Sequence, residues 1–166
     1  MSDSNSSSPL CVAIGADHRG SDAAQRVKDS LKVLGYEAII VEGCDRNCDY
    51  PEKAYLVGQM MNSGQAQRGV LICGTGIGMS IAANKITGLR AALVHDELTA
   101  QLSRSHNDSN VLCLSADLLG ERLIDKIIAV WMQTEFEGGR HLRRVNKITA
   151  IEQGADPREA SNTQSA

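Results

Sequence analysis

Short apolar runs alternate with helix-like segments along most of this chain, and this alternation restricts its fold more than any other feature. The first run, Leu10–Gly15, has the length of a buried strand and ends in glycine. The next segment places Ala24, Val27 and Leu31 at helical intervals. The pattern predicts strands at 10–15, 37–41, 69–73, 91–94 and 111–114, and helices at 21–34, 51–62, 79–86, 96–105, 117–136 and 141–153. Strands joined by helices predict a doubly wound α/β sandwich with a five-stranded parallel sheet.

The alternation predicts one domain at residues 10–153 in a chain of 166 residues. Residues 1–9 are rich in serine and residues 154–166 have little to bury, so both are predicted to be disordered tails. The chain has only one Trp, three Tyr and one Phe. Its core must therefore consist mainly of Leu, Ile, Val and Ala, as in a parallel sheet covered by helices.

Composition argues against nucleic acid and membrane as partners. The formal net charge is −3, and no long basic stripe is present. No apolar run approaches the roughly 20 residues that a membrane span needs. The first residues also lack the basic and apolar regions of a secretory signal. The basic residues that cluster at 140–147 form a patch of about the size needed to bind one small anion.

The five cysteines form an odd set without a C-x-x-C pair. Cys11, Cys73 and Cys113 lie in apolar runs, which is typical of reduced core cysteines in a reducing compartment, so a cytoplasmic location is expected. Cys44 and Cys48 have a spacing that a metal ion could use. No matching pair of Cys or His occurs elsewhere, so a surface loop is expected there and no metal site is predicted.

The segment CGTGIGMS at 73–80 is the most informative motif. Gly74, Gly76 and Gly78 connect a predicted strand to a predicted helix, and such a loop leaves backbone N–H groups free to bind an anion. A simple tight turn is the alternative. The spacing matches neither the dinucleotide fingerprint nor the P-loop, so no nucleotide cofactor is predicted. Cys73 ends the strand beside the helix N-terminus, which stabilises a thiolate and provides a base or nucleophile. A buried core cysteine is the alternative, and we adopt it for Cys11 and Cys113.

Polar residues follow three of the predicted strands, where doubly wound sheets bind their ligands. Asp17 and His18 follow the first strand, Asp49 and Tyr50 follow the second, and Cys73–Thr75 follow the third. Asp17 beside His18 can orient a sugar hydroxyl while the imidazole binds a phosphate. A helix cap explains Asp17 equally well.

Two further polar groups lie elsewhere in the chain. His106 and Asn107 precede the fifth predicted strand, where ordinary loop chemistry explains them, but His106 also supplies an acid–base group. Arg140 and Arg144 are four residues apart, so they either clamp a phosphate or form a solvated charged face. The remaining imidazoles, including His141, are expected to be partly exposed structural residues. A thiol, an imidazole, an anion-binding loop and a basic clamp together suit proton abstraction beside a carbonyl.

Five stretches, in chain order, carry a resemblance to a known family. They are ADHRG (16–20), DYP (49–51), CGTGIGMSIAANK (73–85), AQLSRSHNDSNVL (100–112) and EGGRH (137–141), with Arg144 shortly after. They resemble the ribose-5-phosphate isomerase type B family, which includes the galactose-6-phosphate isomerase subunits, and the similarity covers about residues 10–153. The resemblance implies a Rossmann-like, three-layer α/β/α subunit in a homodimer or a dimer of dimers. It also implies active sites at the subunit interface and aldose–ketose interconversion without metal or nucleotide.

The resemblance also implies a role for each site residue. Cys73 would be the base that moves a proton between C1 and C2, Thr75 would help move protons between the two oxygens, and His106 would open the furanose ring. Among the other residues, the enediolate would be held by Gly74, Gly76, Gly78 and Ser80, the sugar hydroxyls by Asp17 and Asn107, and the phosphate by His18, Arg140 and Arg144. Tyr50 would line the pocket. One branch of the family uses a glutamate base, and Met79 occupies that position here, which places the chain in the cysteine branch.

The expected reaction is thus the conversion of ribose 5-phosphate to ribulose 5-phosphate through ring opening and a cis-enediolate. One alternative is an isomerase of another aldose phosphate, such as galactose 6-phosphate, allose 6-phosphate or erythrose 4-phosphate. A second alternative is a sugar-phosphate-binding module without catalytic activity, because a fold does not fix a function.

Overall fold

The structure is a computed structural model that describes residues 9–42 and 48–160. Five strands alternate with helices in the predicted order, and a sixth helix follows. The strands are β1 (Cys11–Ala16), β2 (Glu37–Ile40), β3 (Arg68–Cys73), β4 (Ala91–Leu93) and β5 (Val111–Ser115). The helices are α1 (Ser21–Val33), α2 (Tyr50–Asn62), α3 (Ile77–Ala83), α4 (Glu97–Ser105), α5 (Glu121–Gln133) and α6 (Arg140–Glu152).

The strands form one parallel sheet in the order β2-β1-β3-β5-β4. The chain runs outward from β1 to β2 and then crosses to β3 on the other side of β1, so the direction of winding reverses between β1 and β3. Such a switch point opens a crevice at the carboxyl ends of the strands, where ligands bind in doubly wound folds. The predicted fold class is confirmed.

The sheet separates two apolar layers. Val70 and Ile72 of β3 belong to a core that also contains Trp131 of α5 and residues of α1 and α4. Leu71 and Cys73, which alternate with them along the strand, belong to a second core with residues of α2 and α3. Because successive residues of a strand point to opposite faces, both faces of β3 are buried, as its continuous apolar sequence predicts.

Several element ends differ from the predictions for local reasons. The helix α1 has Gly20 as its N-cap and ends at Val33, one residue before the predicted end. The helix α5 begins only at Glu121, after Gly120 in extended conformation. The helix α3 begins two residues early, at Ile77, because Gly76 adopts the left-handed conformation (φ 76°) that starts it. Cys48, expected on a surface loop, is buried and disulfide-bonded.

The chain termini are described only in part. Residues 154–160 form turns after α6, where Arg158 Nη2 lies 2.6 Å from Asp156 Oδ2. The predictions for residues 1–8 and 161–166 lie outside the described residues. None of the helices in the described ranges has the length and apolar character needed to cross a membrane.

Candidate active site

Cys73 lies at the carboxyl end of the central strand β3, with a buried side chain. Its Sγ accepts a hydrogen bond from the Gly76 N–H at 3.1 Å, which orients the sulfur toward the glycine loop. The backbone around it is fixed by the segment after β5. Ala116 N–H donates to the Cys73 carbonyl at 2.9 Å, and Ser115 Oγ donates to the Gly74 carbonyl at 2.6 Å.

The loop after Cys73 requires glycine at position 76 and packs closely against Tyr50 at position 78. A Cβ at Gly76 would lie 2.6 Å from the Leu93 side chain, in addition to the positive φ. A Cβ at Gly78 would lie 2.6 Å from the Tyr50 ring. Ile77 N–H donates to Thr75 Oγ1 at 3.3 Å. Gly78 and Met79, the next two residues, lie in the first turn of α3, where backbone N–H groups have no acceptor within the helix. The N–H of Ser80, one residue further, donates to the Gly76 carbonyl at 3.0 Å. The loop therefore offers backbone donors beside the thiol.

Asp17 follows β1 and joins this end of the sheet, because its N–H donates to the Ile72 carbonyl at 3.2 Å. Its Oδ1 accepts hydrogen bonds from the N–H groups of Arg19 (2.9 Å) and Gly20 (3.2 Å). The carboxylate thus shapes the turn that leads into α1 at the carboxyl end of the sheet, but it is not the helix cap, because the N-cap of α1 is Gly20 and no side chain of the described residues caps that helix. His18 is exposed beside it.

His106 and Asn107 lie at the opposite end of the sheet. His106 is the C-cap of α4, and the chain after it leads into β5. The start of β5 lies beside the start of β3, because the Asn110 carbonyl accepts a hydrogen bond from Gly69 N–H at 2.9 Å. The six residues of β3 extend about 17 Å at roughly 3.3 Å per residue. In one chain, His106 and Cys73 are therefore separated by the length of a strand.

A network of charged side chains holds the turn that carries His106. Asp108 has a positive φ of 47° and accepts hydrogen bonds from Arg104 Nη1 (2.8 Å) and Arg90 Nη2 (2.6 Å). Trp131 Nε1 donates to Ser109 Oγ at 2.9 Å. These bonds tie the turn to β4 and α5, so the position of His106 is set by the folded core.

His141 was expected to be partly exposed, and this expectation is wrong: only 4% of it is accessible. Its ring stacks on that of His106, with centroids 4.2 Å apart and planes inclined by 9°. Arg140 Nε donates to His141 Nε2 at 3.2 Å. Glu137 Oε2 lies 3.6 Å from His141 Nε2 and 4.0 Å from His106 Nε2. Sequence reasoning did not assign Glu137 or His141 to the site, although both belong to the EGGRH stretch.

The electrostatics of this cluster favour an anion. Burial lowers the pKa of His141, and the neighbouring His106, Arg140 and Arg144 lower it further, against the opposite effect of Glu137. The donor atoms of His106, Glu137 and His141 lie within 4.8 Å of one another, so by residue type they could hold a metal ion. However, Arg140 Nε already donates a hydrogen bond to His141 Nε2, and Arg144 adds a second positive charge nearby. The cluster therefore suits an anion better than a metal cation.

Arg140 and Arg144 both lie on α6 and are exposed, and their spacing places them on one face. The structure therefore divides the predicted site residues of one chain into two groups. The upper group, at the carboxyl ends of the strands, contains Asp17, His18, Tyr50, Cys73, Gly74, Thr75, Gly76, Gly78 and Ser80. The lower group contains His106, Asn107, Arg140 and Arg144. The predicted phosphate ligands are split, with His18 in the upper group and both arginines in the lower group.

Comparison with known proteins gives a consistent result. The chain is 42% identical over 144 residues to ribose-5-phosphate isomerase B of Escherichia coli, covering 86% of this chain and 96% of the relative. It is 40% identical over 141 residues to D-erythrulose-4-phosphate isomerase of Pectobacterium atrosepticum, covering 84% and 93%. The structure of ribose-5-phosphate isomerase B from Clostridium thermocellum superposes with a TM-score of 0.83 at 42% identity, covering 87% of this chain and 99% of that one. The family profile described as Ribose/Galactose Isomerase matches residues 12–148, and the chain therefore belongs to this family.

Proposed function

We propose that this protein is an aldose–ketose isomerase that interconverts ribose 5-phosphate and ribulose 5-phosphate. The observation that carries the proposal is the hydrogen bond from Gly76 N–H to Cys73 Sγ at 3.1 Å. It holds the sulfur at the carboxyl end of β3, beside backbone donors of the glycine loop. The relatives from Escherichia coli and Clostridium thermocellum, which carry the ribose-5-phosphate isomerase B name, support the choice of substrate.

The proposed chemistry is a proton transfer between adjacent carbons. In the open-chain aldose, the Cys73 thiolate removes the proton from C2, and the electron pair moves toward the C1 carbonyl to give a cis-enediolate. The glycine-loop N–H groups stabilise the negative charge that develops on oxygen. Thr75 helps transfer the proton from O2 to O1, and Cys73 returns its proton to C1. Substrate and product differ only in the positions of these protons and of the carbonyl.

Ring opening precedes this step in the proposal. His106 accepts the proton of the anomeric hydroxyl and returns a proton to the ring oxygen, while Asp17 and Asn107 bind the sugar hydroxyls. The stack with His141 and the network around Asp108 fix the His106 ring before substrate binds. Tyr50 forms part of the pocket wall, since its ring lies against Gly78.

The two groups of site residues imply that each active site combines two copies of the chain. Cys73 and His106 must act on the same sugar, yet the length of β3 separates them in one chain. A two-fold axis that places the upper group of one subunit against the lower group of the other forms two complete sites. Phosphate is then bound by His18 of one subunit and by Arg140 and Arg144 of the other.

The surface of the chain supports a homodimer. The helices α3, α4 and α6 each expose a pair of large apolar side chains at helical spacing, namely Ile77 and Ile81, Leu98 and Leu102, and Ile148 and Ile151. Of the 13 residues of α6, only His141 and Val145 are buried. Because most helical stability comes from packing, α6 needs a partner, and a second copy provides one. Ile148 and Ile151 also line a cavity of about 550 Å³ that includes Asn107 of the lower group.

The number of carbon atoms in the sugar phosphate follows less directly from the structure than the reaction class does. The Pectobacterium relative, named as an isomerase of a four-carbon sugar phosphate, makes erythrose 4-phosphate the second candidate. Galactose 6-phosphate and allose 6-phosphate are six-carbon candidates within the same reaction class. The sugar-phosphate-binding module without activity is disfavoured by the preorganised Cys73 sulfur.

A cytoplasmic location also belongs to this proposal. The thiol of Cys73 must stay reduced to act as a base, and Cys11, Cys73 and Cys113 are free, although Cys48 is disulfide-bonded. Fractionation of cells that express the full chain would check the location, and recovery in an oxidising compartment would contradict it.

A panel of pentose, hexose and tetrose phosphates tests the proposed function, with aldose–ketose conversion as the readout. We expect the highest kcat/KM with ribose 5-phosphate, and C2 hydrogen exchange with deuterated water. Cys73→Ala should abolish both activities while leaving binding of ribose 5-phosphate largely intact. Cys11→Ala, which removes another buried thiol, is the matched control and should retain both. Exchange and turnover by Cys73→Ala at the wild-type rate would refute the assigned base.

A further inference from the structure

Arg19 and Asp117 meet directly over the Cys73–Gly74 loop. Arg19 follows β1 and Asp117 follows β5, and the guanidinium Nε and Nη2 lie 3.0 and 2.7 Å from Asp117 Oδ2. A Cβ placed on Gly74 would be 2.9 Å from that Oδ2 and 3.0 Å from Arg19 Nε. The cation is therefore in contact with the residue next to the thiol, at the rim of the crevice.

The ion pair leaves one edge of the guanidinium available. Asp117 uses the edge formed by Nε and Nη2, and Arg19 Nη1 has no hydrogen bond within residues 9–42 and 48–160. The Arg19 side chain is 55% exposed. A guanidinium has five N–H donors in a rigid plane, so fixing one edge also fixes the direction of the other.

Hydrogen bonds from their own backbone N–H groups hold both residues of the pair in place. Asp117 N–H donates to the Gly74 carbonyl at 3.1 Å, and Arg19 N–H donates to Asp17 Oδ1 at 2.9 Å. Exposed ion pairs contribute little to stability, so the pair is better explained by what it positions than by the fold it supports. A preorganised guanidinium loses less conformational entropy when it binds an anion.

We propose that Arg19 binds the phosphate group of the sugar phosphate and that Asp117 is the positioning residue for its guanidinium. Arg19 adjoins His18, which is expected to contact the same phosphate, and its free edge matches the bidentate geometry of phosphate oxygens. It supplies the cation that the upper group otherwise lacks, opposite Arg140 and Arg144 of the second subunit. This inference rests on the proposed function for the identity of the ligand.

The test compares Arg19→Met with Arg26→Met in the full chain. Arg26 is the matched control, because it forms an ion pair with Asp125 (2.6 Å) on the surface of α1 and α5, away from the crevice. Titration calorimetry with ribose 5-phosphate and with inorganic phosphate gives Kd, and initial rates give KM and kcat. We expect Arg19→Met to raise Kd and KM roughly tenfold to a hundredfold, the loss typical of a charge-assisted hydrogen bond. Arg26→Met should leave Kd and KM unchanged.

Two more variants separate binding from folding. Arg19→Lys keeps the charge without the planar fork and should raise Kd less than Arg19→Met does. Asp117→Asn keeps the shape, releases the guanidinium, and should raise KM severalfold with kcat changed less than KM and with the Tm unchanged. A merely structural pair would instead lower the Tm in Arg19→Met and Asp117→Asn at constant KM, and that result would overturn the inference.

The two proposals fail in different ways. If the wild type converts ribose 5-phosphate and Arg19→Met has wild-type Kd and KM, the inference on Arg19 is wrong and the proposed function stands. If the wild type binds ribose 5-phosphate without converting it, the proposed function is wrong. In that case a raised Kd in Arg19→Met alone would still support Arg19 as a phosphate ligand.

Discussion

Subunit complementation tests the shared active site most directly. Cys73→Ala removes the base from the upper group, and His106→Ala removes the ring-opening imidazole from the lower group, so each variant alone should be nearly inactive on ribose 5-phosphate. When the two chains are unfolded together and refolded at equal amounts, random pairing gives about half heterodimers. Each heterodimer has one site with both defects and one site with none.

The expected activity of the mixture follows from this count. One intact site in half of the dimers restores about a quarter of the wild-type kcat per chain, measured by the aldose–ketose assay. A site contained within one chain restores nothing. The roughly 17 Å that β3 places between the two residues is the structural reason to expect recovery.

The double variant Cys73→Ala/His106→Ala, mixed in the same way with wild type, is the control. In shared sites each heterodimer site keeps one defect, so about a quarter of all sites stay active, whereas single-chain sites would leave about half active. No recovery in the first mixture together with half activity in the control would refute the two-subunit site.

Four further predictions concern single side chains. Iodoacetamide should inactivate the wild type by alkylating Cys73, and saturating ribose 5-phosphate should slow the inactivation. Cys113 should react more slowly, because burial strongly raises the pKa of its thiol. Mass spectrometry that finds Cys113 modified first would contradict this prediction. His106→Ala should lose roughly 10²–10⁴-fold in kcat on ribose 5-phosphate but far less on erythrose 4-phosphate, which cannot form a furanose ring, so equal losses would contradict its role. Ile151→Asp should shift the dimer toward monomer in analytical ultracentrifugation, since Ile151 is 61% exposed in the chain alone, whereas Val33→Asp, at a position 88% exposed on α1, should leave the dimer intact. Burial lowers the pKa of His141 in the folded state, so below the ordinary histidine pKa the unfolded state binds more protons than the folded state does. The Tm should therefore fall as the pH drops through the ordinary histidine pKa, and it should fall less in His141→Gln.

The sequence by itself determined the fold and the chemistry of the upper group. A continuous apolar run such as residues 69–73 of β3 is buried on both faces, and helices at regular intervals supply the cover, so the parallel sandwich followed from local pattern. Cys73 and the glycines after it are adjacent in sequence, and a strand-to-helix turn brings adjacent residues together in any tertiary context. The resemblance supplied the roles of individual residues, which the sequence pattern alone left open.

Only the tertiary structure decided how distant residues meet. His141 reads in the sequence as an ordinary histidine of a basic helix, yet the return of the chain after α5 buries it against His106. Arg19 and Asp117 are 98 residues apart and meet only because β1, β3 and β5 are neighbours in the sheet. The division of the site has the same origin: strands and the helices between them run in opposite directions, so residues that follow strands and residues that follow helices lie at opposite ends of the sheet.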